Sequence, residues 1–263
     1  MQIYADNSAT TKMSRTAIDA MLPYMETYYG NPSSLHSVGQ KAAEALSDAR
    51  ERIARRLGCM PREITFTSGG SEADNQAIIS AARLGEKKGK KHIISTAFEH
   101  HAVLHSLDAL KKEGFEITLL EVHSDGIVRP EELEAAIRDD TALVTIMYAN
   151  NEIGTIQPIP ELAAVCKKHK VLFHTDAVQG FLKIPFRAKA LGADMISVSA
   201  HKIHAAKGTG ALYIRPGLPL PAFLNGGGQE SNYRSGTENM PGICGFGAAC
   251  ADTDAKAGIA RMT

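Results

Sequence analysis

Apolar positions along the chain switch between two periods. From Gly39 to Leu57, residues Ala42, Ala45, Leu46, Ala49, Ile53 and Leu57 recur at helical spacing and define one buried stripe. Ala17, Ile18, Met21, Leu22 and Met25 repeat that spacing over 14–29, where Pro23 predicts a kink or a break. Gly30-Asn31-Pro32-Ser33-Ser34 between them is a loop signal. Beyond residue 60, short apolar runs alternate with helical stretches. Strands are predicted at 64–66, 92–95, 115–122, 142–147, 171–173, 193–199 and 211–214, and helices at 71–84, 101–112, 130–138 and 159–169. Such alternation predicts βαβ units in a mostly parallel sheet covered on both faces, an α/β fold. Pro216 to Pro221 reads as a connector, followed by Gly226-Gly227-Gly228. The stretch 241–263 is rich in alanine and glycine and reads as a helix with no capping signal to close it.

Composition narrows the class only a little. The 263 residues include 29 Lys and Arg against 29 Asp and Glu, a balance that gives neither a nucleic-acid footprint nor a membrane patch. No apolar run approaches a spanning helix. The start, Met1-Gln2-Ile3-Tyr4-Ala5-Asp6, lacks the basic and apolar segments of a signal peptide. Cys59, Cys166, Cys244 and Cys250 show no paired or zinc-ligand spacing and read as small buried hydrophobes in a reducing cytosol. The expectation is a cytoplasmic α/β protein.

Chemistry enters at the strand ends, because open parallel sheets bind ligands beyond the carboxyl ends of their strands. After 64–66 comes Thr67-Ser68-Gly69-Gly70-Ser71-Glu72, a glycine pair opening a helix. Free N–H groups there can cradle a phosphate, with Ser71 adding a hydroxyl; the same residues also fit an ordinary capping box. After 92–95 comes Glu99-His100-His101, where the His100 ring can stack on a ligand. His101 and His105 have the i, i+4 spacing of a metal pair but no acidic third ligand, so no metal site is expected. Asn151 follows the strand at 142–147 and can donate to a ring oxygen. Asp176 follows the apolar run at 171–173 and, partly buried there, needs a cationic or donor partner. Ser199, His201 and Lys202 follow 193–199. A lysine leaving the core is partly desolvated, which lowers its pKa and makes the amine nucleophilic. The set matches the needs of pyridoxal 5'-phosphate: a lysine for the aldehyde, a carboxylate for the ring nitrogen and a helix start for the phosphate.

These residues lie inside ordered blocks that resemble the cysteine desulfurases, relatives of the class V aminotransferases. The blocks are DNSATT at 6–11, GNPSSLH at 30–36, FTSGGSEADN at 66–75, EHHAVL at 99–104, NNEIGTIQPI at 150–159, HTDAVQG at 174–180, SAHKI at 199–203 and RSGTEN at 234–239. The resemblance implies a three-layer, aspartate aminotransferase-like (fold type I) large domain. Its expected division is an N-terminal segment over 1–15, the cofactor domain over 16–240, and over 241–263 the start of a connection to a C-terminal small domain. It also implies roles. Lys202 would bind the cofactor covalently and then act as the base, Asp176 would partner the pyridine nitrogen, and His100 would stack on the ring. Asn151 and Gln179 would contact the ring oxygen, while Gly70, Ser71, Ser199 and His201 would hold the phosphate. Thr237 would reach the phosphate of the neighbouring subunit in a homodimer.

The implied reaction converts L-cysteine to L-alanine and leaves sulfur as an enzyme persulfide for iron–sulfur or thio-cofactor assembly. Its partners would be a sulfur acceptor or iron–sulfur scaffold protein, with no nucleic acid or membrane involved. In two places the chain departs from the family pattern. Ala205-Ala206 stands where the family has glycine-proline after the lysine. The small domain, with its sulfur-accepting cysteine loop and carboxylate-binding arginine, is not among these residues, so the expectation is a truncated form. Two other readings remain at this point: a selenocysteine lyase or related lyase of the same fold, and an inactive fragment serving as a dimerisation or partner-binding module.

Overall fold

The computed structural model describes residues 3–253. In chain order the elements are α1 (Arg15–Glu26), α2 (Ser37–Leu57), β1 (Ile64–Thr67), α3 (Gly70–Glu86), β2 (His92–Thr96), α4 (His101–Lys112), β3 (Glu116–Leu120), α5 (Pro130–Ala136), β4 (Thr141–Thr145), α6 (Ile159–Lys168), β5 (Leu172–Asp176), α7 (Ala188–Leu191), β6 (Met195–Ser199), β7 (Gly210–Ile214) and α8 (Met240–Asp252). The seven strands form one sheet in the order β1-β7-β6-β5-β4-β2-β3. Only β7 runs against its two neighbours; the pairs from β6 through β5, β4 and β2 to β3 are parallel. The mostly parallel sheet is therefore as expected.

Strand alternation feeds two cores, one on each face. Ile93, Leu143, Met195 and Leu212 point to the side covered by α3 and α4. Their neighbours Ile94, Val144, Ile196 and Tyr213 point to the other, against α2, α6 and α8. A strand buried on both faces has no polar side to show, which is why these segments read as unbroken apolar runs. The edge strand β3 is the exception, and Glu116 and Leu119 are exposed.

Local chemistry sets the helix ends. Ser14 caps α1 by accepting from Ala17 N at 3.1 Å, and Pro23 sits in the final turn of the helix rather than breaking it. Gly58, with φ of 68°, closes α2 in the left-handed conformation that glycine adopts without penalty. The segment 241–252 belongs to α8, which packs on α1 and α2. The missing closing signal of α8 is supplied from α2. Arg56 donates to the carbonyls of Cys250 (2.5 Å), Ala251 (2.9 Å) and Thr253 (2.9 Å). Residues 254–263 of the predicted helix lie outside the described residues.

Candidate active site

The carboxyl ends of β1, β2, β4, β5 and β6 open onto a cavity of about 510 Å³. Nine of the ten residues expected at the site line it: Gly70, Ser71, His100, Asn151, Asp176, Gln179, Ser199, His201 and Lys202. Thr237 is exposed and stands outside the lining. Its segment is tied to the same region by Arg234, which donates to Glu72 at 2.7 and 3.2 Å, and by Glu230, which accepts two bonds from Arg50 and one from Phe66 N.

Asp176 ends β5 and is buried. It accepts from Val178 N at 2.8 Å and has no Lys or Arg ion-pair partner among the described residues. Burial pushes its pKa up, opposed by the Val178 amide, by the nearby His100 ring and by the charge of Lys202. The carboxyl is set toward the cavity with room for a cationic partner.

Lys202 leaves β6 on a short 3₁₀ turn, Ala200–Lys202. Its Nζ donates to the carbonyls of Ser8 and, at 2.8 Å, Ala9. Burial lowers its pKa, against the pull of Asp176 and Asp6. A larger share of free amine follows at neutral pH, as a nucleophile or base requires. Ala205 and Ala206 pack into the turn that follows the lysine. Ala205 N and Ile203 N both donate to Ala200 O, at 3.1 and 3.0 Å, and both alanines are buried.

The helix start at α3 has the features of an anion cradle. The helix begins at Gly70 with Gly69 as its cap, so Ser71 lies in the first turn and the capping-box alternative does not hold. Glu72 instead turns back to accept from Ser68 N at 2.9 Å. A Cβ on Gly70 would stand 2.7 Å from Val178 Cγ2, so only glycine lets the backbone approach here. Ser199 Oγ, beside it, is buried and without a hydrogen-bond partner. An orphaned hydroxyl next to free first-turn amides fits a phosphate, which would satisfy both. His201 completes this wall, its Nδ1 3.1 Å from Thr10 Oγ1, with a pKa lowered by burial and by Lys202, Lys207 and Lys183.

His100 caps α4, its Nδ1 accepting from Ala102 N at 3.1 Å, which leaves Nε2 as the protonated nitrogen. Asn151 Nδ2 donates to Glu152 Oε1 at 2.6 Å, while its neighbour Asn150 holds the turn by accepting from Glu152 N and Ile153 N. Gln179 is held at both ends: Lys183 Nζ donates to its Oε1 at 2.7 Å, and its Nε2 donates to Ser8 O at 2.8 Å. That pairing fixes the amide so that only N–H can be offered to the cavity.

Asp6, Ser8 and Ala9 also line the cavity, as a strap from the N-terminal segment. Thr11 secures it by donating to His201 O from both N (3.0 Å) and Oγ1 (2.8 Å). The strap, Asp74 and Lys183 were not among the expected site residues. For the strap the DNSATT block was a signal, though it named no role. The four cysteines take no part. Burial pushes the thiols of Cys59, Cys166 and Cys244 up to about 12, 12 and 11, and that of Cys250 up as well. Among the described residues no group of three His, Cys, Asp or Glu is placed to hold a metal, and no helix is long and apolar enough to cross a membrane.

The family described as aminotransferase class-V matches residues 3–263. The chain belongs to the class-V aminotransferase family. Members of this family are pyridoxal phosphate-dependent enzymes. This member is 50% identical over 247 residues to the cysteine desulfurase IscS of Methanosarcina thermophila, covering 94% of this chain and 61% of that protein. It is 48% identical over 248 residues to the cysteine desulfurase IscS of Dictyoglomus turgidum, covering 94% and 63%. The chain thus spans about three-fifths of the length of these curated relatives. Among solved structures it is similar to a NifS-like protein (TM-score 0.92, 44% identity, 95% of this chain and 69% of that one). It is equally similar in fold to SspA in complex with cysteine (TM-score 0.92, 39% identity, 96% and 73%). The fold is that of the fold type I pyridoxal phosphate enzymes.

Proposed function

We propose that this chain is the cofactor-holding part of a cysteine desulfurase, which takes the sulfur of L-cysteine as an enzyme persulfide and releases L-alanine. The observation that carries this reading is the single cavity in which Lys202 faces the buried Asp176 beside the Gly70–Ser199 cradle. The names of the relatives support the substrate class, including a neighbour solved with cysteine.

When bound, pyridoxal phosphate would supply an electron sink for the bonds at the substrate's α-carbon. Asp176 would hold the ring nitrogen, Gln179 and Asn151 would donate to the ring oxygen, and His100 would cover the ring. Gly70, Ser71, Ser199 and His201 would take the phosphate, with Thr237 reaching that of a partner copy in a homodimer. Lys202 would anchor the aldehyde carbon and, once released, move the α-proton. The attacking thiolate is none of the four cysteines, because none lines the cavity and burial raises the pKa of each. We place the protein in the cytoplasm, passing sulfur to an acceptor or iron–sulfur scaffold protein.

Reconstitution with pyridoxal phosphate tests the reading. Visible absorbance should appear, and borohydride reduction followed by peptide mapping should mark Lys202. Lys202→Ala should abolish both signals. Labelling at another lysine, or a wild-type protein that takes up no cofactor, would overturn the assignment.

A further inference from the structure

Three buried carboxyls converge under the cavity, and the proposed mechanism uses one of them. Glu99 Oε2 is, like Asp74 Oδ1, buried without a partner. Glu99 is nevertheless anchored through its other oxygen: Oε1 accepts from Thr96 Oγ1 at 2.8 Å and from Met147 N at 2.9 Å, which ties the His100 loop to the end of β4. Asp74 is not. It lies on α3 one turn beyond Gly70, lines the cavity and is 1% exposed. Its Oδ1 has no hydrogen-bond partner. Among the described residues no Lys or Arg pairs with it, and the one ion-pair contact is His174 Nε2 at 3.6 Å.

His174 is itself fully buried, with Nδ1 2.8 Å from Thr145 Oγ1 and Nε2 2.9 Å from Ser197 Oγ. Burial presses its pKa to about 3, so the ring is neutral and gives Asp74 no counter-charge. The remaining groups facing Asp74 are Asp176 from β5, Glu99 from the loop after β2, and the Ser197 hydroxyl from β6. Two of these repel a second negative charge, and only the hydroxyl favours one. Asp176 differs: it has an amide donor in Val178 and faces the charge of Lys202. Adjacent buried carboxyls do not both ionise when one proton can be shared between them.

We propose that Asp74 is a positioning residue that carries a proton, leaving Asp176 as the single negative charge on the cavity floor. The proposal rests on the reading of the cavity as a pyridoxal phosphate site. Its chemical sense is selectivity of charge. A neutral acid at Asp74 adds no second anion, so Asp176 alone would set the protonation of a ring nitrogen held there.

Infrared difference spectroscopy of the cofactor-free protein at neutral pH tests the proton directly. Asp74→Asn should remove one protonated-carboxyl band that is sensitive to deuterium, and Glu99→Gln should leave that band in place. Asp74→Asn, neutral and of the same shape, should bind pyridoxal phosphate within about threefold of wild type, while Asp176→Asn weakens it tenfold or more. Loss of affinity in Asp74→Asn equal to that in Asp176→Asn would overturn the proposal. So would a wild-type spectrum whose protonated-carboxyl bands all survive in Asp74→Asn. If Asp74→Asn fails to fold, the wild-type band still decides. It must persist at neutral pH in Glu99→Gln, and its absence there sinks the idea. A band that vanishes in Asp74→Asn from a protein that takes up no cofactor would uphold the proton on Asp74 and refute the proposed function instead.

Discussion

The floor of the cavity and the wall opposite it carry charge in different ways. On the floor, Asp74, Asp176 and the neighbouring Glu99 are buried, and no lysine or arginine among the described residues is paired with them. Lys202 on the wall, and Lys183 bonded to the wall residue Gln179, are half-buried and held by oxygens: the carbonyls of Ser8 and Ala9 for one, the Gln179 amide for the other. Carboxyls crowded together in a dry region give up their charge by taking protons. Amines surrounded by carbonyl oxygens keep theirs at a lowered pKa, about 8 for Lys183. A ligand with a cationic ring nitrogen at one end and an aldehyde at the other has reason to lie between the two.

The largest effect expected from breaking this contrast is at Asp176. Asp176→Asn removes the floor's one charge, and cofactor affinity should fall about 10- to 100-fold, the scale of a lost charged hydrogen bond, as read by absorbance titration. Lys183→Met frees the Gln179 amide to rotate, and about a tenfold loss of affinity should follow, largely restored by Lys183→Arg. Equal loss in both variants would show that Lys183 acts by its packing rather than by its charge or by holding the amide. Ser199→Ala removes an orphaned hydroxyl. Affinity should fall about fivefold, while the cofactor-free protein melts at the same temperature or slightly higher, because a buried polar group without a partner is gone.

The smallest effect is on pH dependence. Burial raises the pKa values of Asp74 and Glu99, the latter from 4.5 to about 8. The folded state then holds protons that the unfolded chain has released, so stability of the cofactor-free protein falls as pH rises from about 5 to about 8. His174 works in the other direction, since the unfolded chain takes up a proton below 6.5 that the folded one refuses. Thermal melts of cofactor-free protein should therefore peak in mildly acidic buffer. A flat profile across that range would remove the distinction between floor and wall.

Much of this was legible in the sequence because strands buried on both faces leave an unmistakable apolar record. Met195–Ser199 and the runs before Asp176 and His100 could be read that way, and the polar residues after them fell together at one sheet edge. What could not be read depended on contacts distant in sequence. Nothing local says that the strap at 6–11 reaches Lys202, or that Arg56 closes α8. Asp74 was hidden differently. On a helix one turn past a glycine pair it resembles an exposed first-turn acid, and only the packing of α3 on β5 and β6 shows it to be buried. Ser71 also read as a helix cap, because the pattern did not reveal that Gly69 had already taken that place.

The reversed direction of β7 has a consequence for how Lys202 meets its ligand. Because β7 runs back beside β6, residues 200–209 form a closed span whose two ends are stapled together, Ser199 opposite Gly210 and Ala200 N on Thr209 O at 3.1 Å. A crossover to a parallel strand would have let the lysine roam at the end of a long tether. Here the amine is confined to a small volume before anything binds, so its effective molarity toward an aldehyde is set by the sheet and hardly at all by the residues of the turn. The two ends of the span are thus fixed by the sheet, whatever residues fill the turn between them.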